Sequence, residues 1–385
     1  MSITRIIIVL LVIITIYGGG NFYIAKRIYQ ILIHPFPHID IKIYTGLFIF
    51  IASTLFLGFL PLPLVLIRIF NFISAYWMGI FMYLILLFIS ADILILFGRI
   101  TNIIQNFTLS NIRFYSGLAV VLLTAGIVTY GLINANQIKI TEYKIELNNA
   151  SLNDLRIILI SDTHLGDVNS ERNLERMVQS INSLKPDIVC IAGDIFNDNF
   201  NLIRNPDRAV SLFRNIDSTY GVFACLGNHD GGQTLRQMKN FMEESNIKLL
   251  NDEYVIVDER FALFGRLDAS PIGGFGDLQR QDISQTIASV GANMPVIVME
   301  HNPSHIKEYS QQGRGREADL ILAGHTHSGQ MFPGNLITRA MFVVDHGHYQ
   351  KDAYSPHVIV TSGVSTWRPP MRIGTNNEIV SILVR

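Results

Sequence analysis

The sequence predicts an α/β domain at residues 151–385, preceded by a membrane region of about four helices at residues 1–135 and a polar connector at 136–150. Two observations predict this division. Long uncharged apolar segments occur in the first third of the chain, and short apolar runs alternate with amphipathic segments in the rest. The composition agrees, because 49% apolar and only 16% charged residues make the chain more apolar than an ordinary soluble enzyme.

Four segments without charge, or with a single charge, predict membrane-spanning helices. They are residues 6–23, 43–67, 72–97 and 115–133. No small-residue cleavage site follows the first segment, which favours a spanning helix over a signal peptide. Pro61 and Pro63 are expected to kink the second helix.

Asp92 is the one ionisable side chain inside these predicted spans. Such residues are often functional. Asp92 lies near Arg99, and no second charge in the spans could pair with it or form a relay. We therefore expect an interface position or a helix–helix hydrogen bond rather than a transport role.

Basic residues favour an extracytoplasmic C-terminal domain by a narrow margin. An outside N-terminus would leave five of them in the cytoplasmic loops, and an inside N-terminus four. The five are Lys26, Arg27, Lys42, Arg99 and Arg113; the four are Arg5, Arg68, Lys139 and Lys144.

The charge balance and the cysteines exclude some classes of function. The net charge is −1 and the chain has no block of Lys or Arg, so nucleic acid is not an expected partner. Cys190 and Cys225 lie in predicted buried strands, where a free thiol behaves as a small apolar side chain. Two thiols make no disulfide framework and do not fix the compartment.

Residues 155–245 predict a βαβαβ series, and later strands with few helices between them indicate a second sheet. We expect two sheets packed face to face with helices outside. The predicted strands are 155–161, 187–192, 220–226, 254–257, 261–265, 294–300, 319–323, 357–361 and 379–384, and the predicted helices are 171–184, 206–216 and 234–245.

Polar motifs follow five of the predicted strands. They are Asp162-Thr163-His164, Gly193-Asp194, Gly227-Asn228-His229-Asp230, Glu300-His301-Asn302-Pro303 and Gly324-His325-Thr326-His327. Each alone is compatible with a polar turn. Strand ends that meet at one edge would bring two Asp, one Asn and four His together, and such a set is stable when it shares a cation. Mixed oxygen and imidazole ligands suit Mn, Fe, Zn or Co. Seven ligands are too many for one ion but suit two ions that share a carboxylate, and such pairs of ions catalyse phosphoryl transfer.

This ordered series resembles the calcineurin-like metallophosphoesterases, across essentially the whole C-terminal domain. His301-Asn302-Pro303 and the run from Gly324 to Gln330 resemble the bacterial membrane-attached branch, which includes transmembrane proteins with a metallophosphoesterase domain and enzymes that split UDP-2,3-diacylglucosamine. The resemblance implies a four-layer α/β/β/α sandwich and an integral protein of the bacterial inner membrane. It also implies a phosphate-ester substrate, lipid-linked or from the cell envelope; nothing indicates the oligomeric state.

The resemblance further implies two metal ions, most readily Mn, and a role for each residue. A hydroxide shared by the ions would attack phosphorus, and His229 would protonate the leaving group. Asp162, His164 and His327 would hold the first ion, Asn228, His301 and His325 the second, and Asp194 would bridge them.

The chain departs from the family pattern three positions after Asp194, where many relatives have an acidic residue that orients the histidine. Asn197 stands there, so Asp198 or Asp230 takes over that role or the acid is weaker. Purple acid phosphatases have Tyr at this position, and its absence speaks against an iron–tyrosinate site.

Other polar residues have simpler interpretations. We expect His305 at the surface, His348 and His357 in loops or strand edges, His346 there or in the cleft, Arg266 and Asp268 near the substrate side, and Trp367 in a structural corner. Two non-enzymatic alternatives are a phosphoesterase fold used as a binding scaffold, and a sensor or channel in which the helices are the functional part. The presence of all seven ligand residues favours the enzyme.

Overall fold

The computed structural model describes residues 3–104, 108–147, 152, 154–169, 171–291, 293–309 and 318–385. The chain divides into two compact units, Met1–Tyr130 and Gly131–Arg385. The first unit is helical, and the second contains two six-stranded sheets.

Four long helices occupy the N-terminal third. They are α1 (Ile3–Leu32), α2 (Ile41–Leu57), α3 (Leu64–Ile100) and α4 (Leu109–Ala135). Their number agrees with the four predicted segments. Among the described residues, α3 and the Ser110–Ala135 part of α4 are long and apolar enough to cross a membrane, and α2 is apolar but shorter.

The two prolines separate two helices. α2 ends at Leu57 and α3 begins at Leu64, so Pro61 and Pro63 lie in the connection between them. Proline donates no backbone hydrogen bond and disfavours helical geometry in the residue before it, so two prolines in three residues end a helix. The predicted kink within one helix was therefore wrong.

Asp92 of α3 is bound to two side chains of α1. The Tyr23 hydroxyl donates to Asp92 Oδ2 over 2.6 Å, and an Arg27 guanidinium nitrogen lies 3.2 Å from Asp92 Oδ1. The expected helix–helix hydrogen bond is confirmed. The expectation that no second charge pairs with Asp92 was wrong, because α1 continues to Leu32 and thereby includes Arg27.

In its described residues the second unit contains twelve strands in two mixed sheets. The strands are β1 (Ile138–Ile145), β2 (Leu155–Ile160), β3 (Ile188–Ala192), β4 (Val222–Cys225), β5 (Ile247–Leu249), β6 (Glu253–Val257), β7 (Phe261–Gly265), β8 (Val296–Met299), β9 (Leu320–Ala323), β10 (Gly347–Tyr349), β11 (His357–Val360) and β12 (Asn377–Val384).

The first sheet has the order β1-β12-β2-β3-β4-β5, and the second has the order β10-β11-β9-β8-β7-β6. Strands β2 to β5 are parallel to one another, and so are β11, β9, β8 and β7.

Successive side chains of β2 point to opposite faces of the first sheet, so they belong to two different apolar clusters of the core. Ile157 and Leu159 join an apolar cluster with Leu263 of β7 and Ile297 of β8, so this cluster lies between the two sheets. Ile158 and Ile160 belong to a second cluster with the helices that cover the first sheet. The prediction of two sheets is confirmed. Both cysteines are buried and free in neighbouring strands.

Five short α-helices connect strands in the described part of the second unit. They are α5 (Glu171–Ser183), α6 (Pro206–Arg214), α7 (Leu235–Glu244), α8 (Ser284–Ser289) and α9 (Gly334–Met341). α5 buries Leu174, Met177, Val178 and Ile181, the face predicted from their helical spacing. In α9, by contrast, none of the eight residues is buried.

The structure contains three strands that were not predicted: β1, β5 and β10. β1 lies in the segment 136–150 that we expected to be a connector, of which residues 148–150 lie outside the described residues. Its sequence is largely polar and mostly exposed, since it forms the edge of the first sheet. Parallel pairing with β12 holds it there, a contact that its local sequence does not encode.

Candidate metal centre

Both sheets contribute to one cluster of polar side chains. Asp162, Asp194 and Asn228 follow β2, β3 and β4, which are neighbours in the first sheet. His301 and His325 follow β8 and β9, which are neighbours in the second sheet. Because all five strands end at the same edge of the unit, the loops of the two sheets meet, and the structure brings together every predicted site residue.

Asp162, His164 and His327 form a first group of potential ligand atoms. The Nε2 atoms of the two histidines are 3.1 Å apart. Oδ1 of Asp162 lies 3.7 Å from Nε2 of His164 and 3.4 Å from Nε2 of His327. The three atoms thus surround one point.

Asp194, His301 and His325 form a second group, and Asn228 joins it. The Nε2 atom of His301 lies 3.2 Å from Oδ2 of Asp194 and 3.2 Å from Nδ1 of His325. Oδ1 of Asn228 lies 3.1 Å from the first of these nitrogens and 2.9 Å from the second.

Asp194 lies between the two groups. Its Oδ2 atom is 3.2 Å from Nε2 of His301 and 3.8 Å from Nε2 of His164, so it faces a histidine of each group. Its Oδ1 atom accepts a hydrogen bond of 2.8 Å from the backbone N–H of His229. One carboxylate oxygen is therefore fixed by the backbone, and the other is directed at both groups.

The donor set fits a pair of cations. Among the described residues, Oδ1 of Asp162 is buried without a hydrogen-bond partner, although it points at two imidazole nitrogens. Nδ1 of His301 donates to the Ala192 carbonyl over 2.7 Å, which leaves the Nε2 lone pair for a ligand. Burial lowers the pKa of His164 to about 3, so this imidazole is neutral, as a metal ligand must be.

The backbone at the site is strained. Asp162, His164, Asp194, His325 and His327 all have positive φ angles, between 43° and 72°. This left-handed region is unfavourable for residues with a Cβ atom and is typical of functional sites. The loops therefore hold these five side chains in directions that ordinary strand ends would not give them.

Two glycines allow the loops to approach one another. Gly193 has φ +79°, and a Cβ atom on it would lie 2.7 Å from the Gly227 backbone and from Nδ1 of His301. No larger residue fits this contact, so the close spacing of Asp194 and His301 depends on the Gly193 position.

His229 lies beside the first group and is held by Asp198. Its ring centroid is 5.2 Å from that of His164, and its Nδ1 donates to Oδ1 of Asp198 over 2.6 Å. Burial by itself lowers the pKa of His229, but the hydrogen bond to Asp198 and the charges of Asp194 and Asp198 outweigh it and raise that pKa above its usual value. These interactions stabilise the imidazolium form relative to that of a free histidine.

The structure distinguishes the alternatives for the acid that orients His229. Asp230 is fully buried and accepts from the backbone N–H groups of Phe196 and Gly227, at 2.9 Å each. Asn197 leaves its Oδ1 buried without a partner among the described residues. Of the three candidates, Asp198 is the residue that contacts the imidazole.

The remaining polar residues of the sequence analysis lie outside the two groups. His305 is partly exposed and bonds Glu308, His346 bonds Glu378, and His348 stacks on His357. Arg266 is buried in an ion pair with Asp252 at 2.6 Å, which is a structural role. Asp268 is also buried, and it accepts from the backbone N–H of Ser270.

The sequence analysis missed two residues at the site. The Trp367 ring centroid lies 5.6 Å from that of His229, so Trp367 borders the site. Arg372 is fully buried and donates to the His327 carbonyl over 2.8 Å. A lone Arg or Trp in a loop carries no sequence signal for such a contact, which only the fold creates.

Comparison with known proteins shows which class this part of the chain resembles. Residues 155–329 match the family model "Calcineurin-like phosphoesterase", and this range includes all five motifs. The α/β part of the chain is therefore similar to the calcineurin-like phosphoesterases.

Particular relatives also match outside the motifs. A transmembrane protein with metallophosphoesterase domain from Danio rerio is 28% identical over 69% of this chain and 61% of its own length. An uncharacterized metallophosphoesterase of Campylobacter jejuni is 28% identical over 96% of both chains. One of Aquifex aeolicus is 29% identical over 60% of this chain and 85% of its own. The match thus spans less than two thirds of the Danio protein, but nearly all of the Campylobacter protein.

Proposed function

We propose that this protein is a membrane-anchored phosphoesterase with two metal ions. Asp162, His164 and His327 would hold one ion, and Asn228, His301 and His325 the other. Asp194 would bridge them. The position of Asp194 Oδ2, within 3.8 Å of an imidazole nitrogen in each group, is the observation that carries this proposal. Mn is the metal we would test first, with Fe, Zn and Co as alternatives for the same donor set.

When bound, the two ions would supply an activated water and neutralise charge on the phosphoryl oxygens. Residues of the chain itself would hold and donate the proton and limit the access of water. His229, with its Nδ1 proton held by Asp198, presents the opposite ring nitrogen and would donate a proton from Nε2 to the leaving oxygen. Such proton donation is typically worth about 10²–10⁴-fold in rate. Trp367, beside the His229 ring, would limit the access of water on that side.

The substrate we propose is a phosphomonoester, phosphodiester or pyrophosphate, lipid-linked or from the cell envelope, such as UDP-2,3-diacylglucosamine. Apolar helices in the chain and the transmembrane relatives support a substrate at a membrane. We place the protein in the bacterial inner membrane with its α/β unit outside the cytoplasm. We also propose that the two sheets and their covering helices form a four-layer α/β/β/α sandwich.

A non-catalytic phosphoesterase fold that binds a ligand or senses it for the helices is the competing proposal. Such a scaffold has no need of a general acid. The Asp198–His229 pair, at 2.6 Å and adjacent to the first group, favours the enzyme.

Hydrolysis by the full-length protein in detergent tests the proposal. Nitrophenol release from mono- and bis-nitrophenyl phosphate would be measured with Mn²⁺ for the wild type, Asp194→Asn and His229→Ala, together with bound metal. We expect Asp194→Asn to lose metal and activity, and His229→Ala to lose activity while retaining metal. A wild-type protein that binds metal but hydrolyses neither ester would favour the scaffold, and full activity in Asp194→Asn would mean that the bridge is misassigned.

A further inference from the structure

Helix α9 exposes apolar side chains. The apolar residues Leu336, Ile337 and Met341 are 54%, 61% and 70% exposed. Thr338 is only partly exposed, and its hydroxyl donates to Oδ2 of Asp345 over 2.7 Å. Helices on soluble domains bury the apolar face and expose the polar one, so α9 is built to contact something apolar.

The residues next to α9 extend this surface. Phe332, before the helix, is 47% exposed, and Val343, after it, is 52% exposed. Together with the three apolar residues of the helix they form what we call the α9 surface: Phe332, Leu336, Ile337, Met341 and Val343. Apolar residues concentrated in one short stretch mark an interaction site, whereas single exposed apolar residues are normal.

The α9 surface connects to the end of a helix that is able to span a membrane. Phe332 N–H donates to the Ile373 carbonyl over 2.8 Å, and Arg372 N–H donates to the Gly131 carbonyl over 3.0 Å. Gly131 lies in the last turns of α4, whose Ser110–Ala135 part is apolar enough to cross a bilayer. Arg372 and Ile373 are consecutive residues, so their hydrogen bonds link the α9 surface to the end of α4. At the end of α4 the chain leaves the proposed membrane.

Charge favours a lipid surface as the occupant. Arg339 is the one charged residue between Met331 and Val344, and it is exposed. An apolar face with a basic residue near it is typical of helices that lie in the membrane interface, where the arginine side chain reaches the anionic headgroups.

The position of α9 also relates this surface to the candidate metal centre. Thr326 donates from its hydroxyl to the Asp345 carbonyl over 2.5 Å, and the Phe342 ring centroid is 6.2 Å from that of His325. Phe342 and Asp345 follow α9 closely in the chain, so a surface that holds α9 also constrains the distance of the metal loop from it.

We propose that the α9 surface docks on the lipid bilayer in which the protein is anchored, with the apolar side chains in the interface. This docking does not depend on catalysis. Helices of this kind insert about 5–10 Å into the boundary between headgroups and acyl chains.

A fluorescent probe at the surface of the full-length protein in liposomes tests the proposal. Ile337→Cys provides a single reactive thiol, because both native cysteines are buried. An environment-sensitive dye at this position should shift its emission to shorter wavelength and be quenched by lipids with a spin label near the headgroup. The matched control is Lys239→Cys, an exposed position on α7, where we expect aqueous emission and no quenching.

A second variant tests whether apolar contact causes the effect. In this variant the dye is attached at Met341→Cys, and Ile337→Glu is introduced beside it. The added charge should abolish the quenching of the dye by lipid, while the melting temperature of the protein stays unchanged. Equal quenching of the dye in the Ile337→Cys and Lys239→Cys proteins would overturn the proposal. A wavelength shift that occurs without lipid quenching, and that disappears when the protein is diluted in lipid, would also overturn the proposal. In that case a second copy of the chain, rather than lipid, would cover the α9 surface.

Discussion

The Nδ1 atom of His229 lies 2.6 Å from Oδ1 of Asp198, and this pair defines the chemistry proposed for the site. In an imidazolium whose Nδ1 proton is held by a carboxylate, the proton on Nε2 remains available to a substrate. Asp198 therefore fixes the orientation and the proton position of His229. It does so from the position next to Asn197, the residue three positions after Asp194.

Removal of the Asp198 charge should weaken His229 as an acid. We expect Asp198→Asn to lower kcat by about 10–100-fold without loss of metal. The acid must be protonated to work, so activity falls as pH rises through its pKa. Without Asp198 the raised pKa of His229 falls, and the alkaline limb of the pH–kcat profile moves to lower pH. The control is Asp217→Asn, an exposed carboxylate; an alkaline limb that stays in place would contradict the role of Asp198.

Metal should stabilise the folded protein. Ligand atoms gathered in the native state are dispersed in the unfolded chain, so Mn²⁺ at 100 times its dissociation constant adds about 2.7 kcal/mol to the free energy of unfolding. Thermal melts of the full-length protein with Mn²⁺ and with a chelator measure this shift. In Asp194→Asn we expect a much smaller shift. The same shift in both proteins would show that the ion binds elsewhere.

Arg372 should matter more than any exposed arginine. Its guanidinium donates to the carbonyl oxygens of His327 and Ser362, at 2.8 and 2.6 Å, and also to that of Ser365. Arg372→Met would leave these buried acceptors unpaired at about 1–3 kcal/mol each. Chemical denaturation should show roughly 3–5 kcal/mol of lost stability, and metal affinity should fall because His327 is released.

The control for Arg372 is Arg236→Met on α7, where the side chain is exposed and a change within about 0.5 kcal/mol is expected. Equal effects of the two substitutions would mean that the hydrogen bonds of Arg372 contribute nothing net to folding.

The pair of Arg27 and Asp92 gives a prediction for the helical unit. Asp92→Ala would leave a buried guanidinium without its carboxylate, a cost of about 2–3 kcal/mol inside a membrane. The melting temperature in detergent should fall. In the double variant Arg27→Met/Asp92→Ala it should largely recover, because neither charge remains. Additive losses in the double variant would show that the two residues do not act as a pair.

Local patterns predicted most of the second unit. Buried strands and the helix from Glu171 to Ser183 follow from the spacing of their apolar residues, and the polar motifs follow strands because loops begin where apolar runs end. Pairing between distant segments was not predictable in this way. β1 is polar and mostly exposed, so only its partner β12, more than two hundred residues away, makes it a strand.

The site shows the same division between local and non-local information. The sequence by itself predicted the eight residues that the fold brings together at the candidate metal centre, because their residue types and their positions after strands are local properties. It left Asn197, Asp198 and Asp230 as alternatives. Tertiary structure decided among them, since Asp198 has a φ of +60° that turns its side chain toward His229, whereas the Asp230 carboxylate is bound by backbone N–H groups.

Helix α9 is the second case in which only the tertiary structure was decisive. The sequence analysis predicted no helix at these residues. In the folded chain Leu336, Ile337 and Met341 of α9 are exposed, whereas Thr338 is held by its hydrogen bond to Asp345. Periodicity determines that a helix has two faces, but the direction of each face depends on what the rest of the fold places beside it.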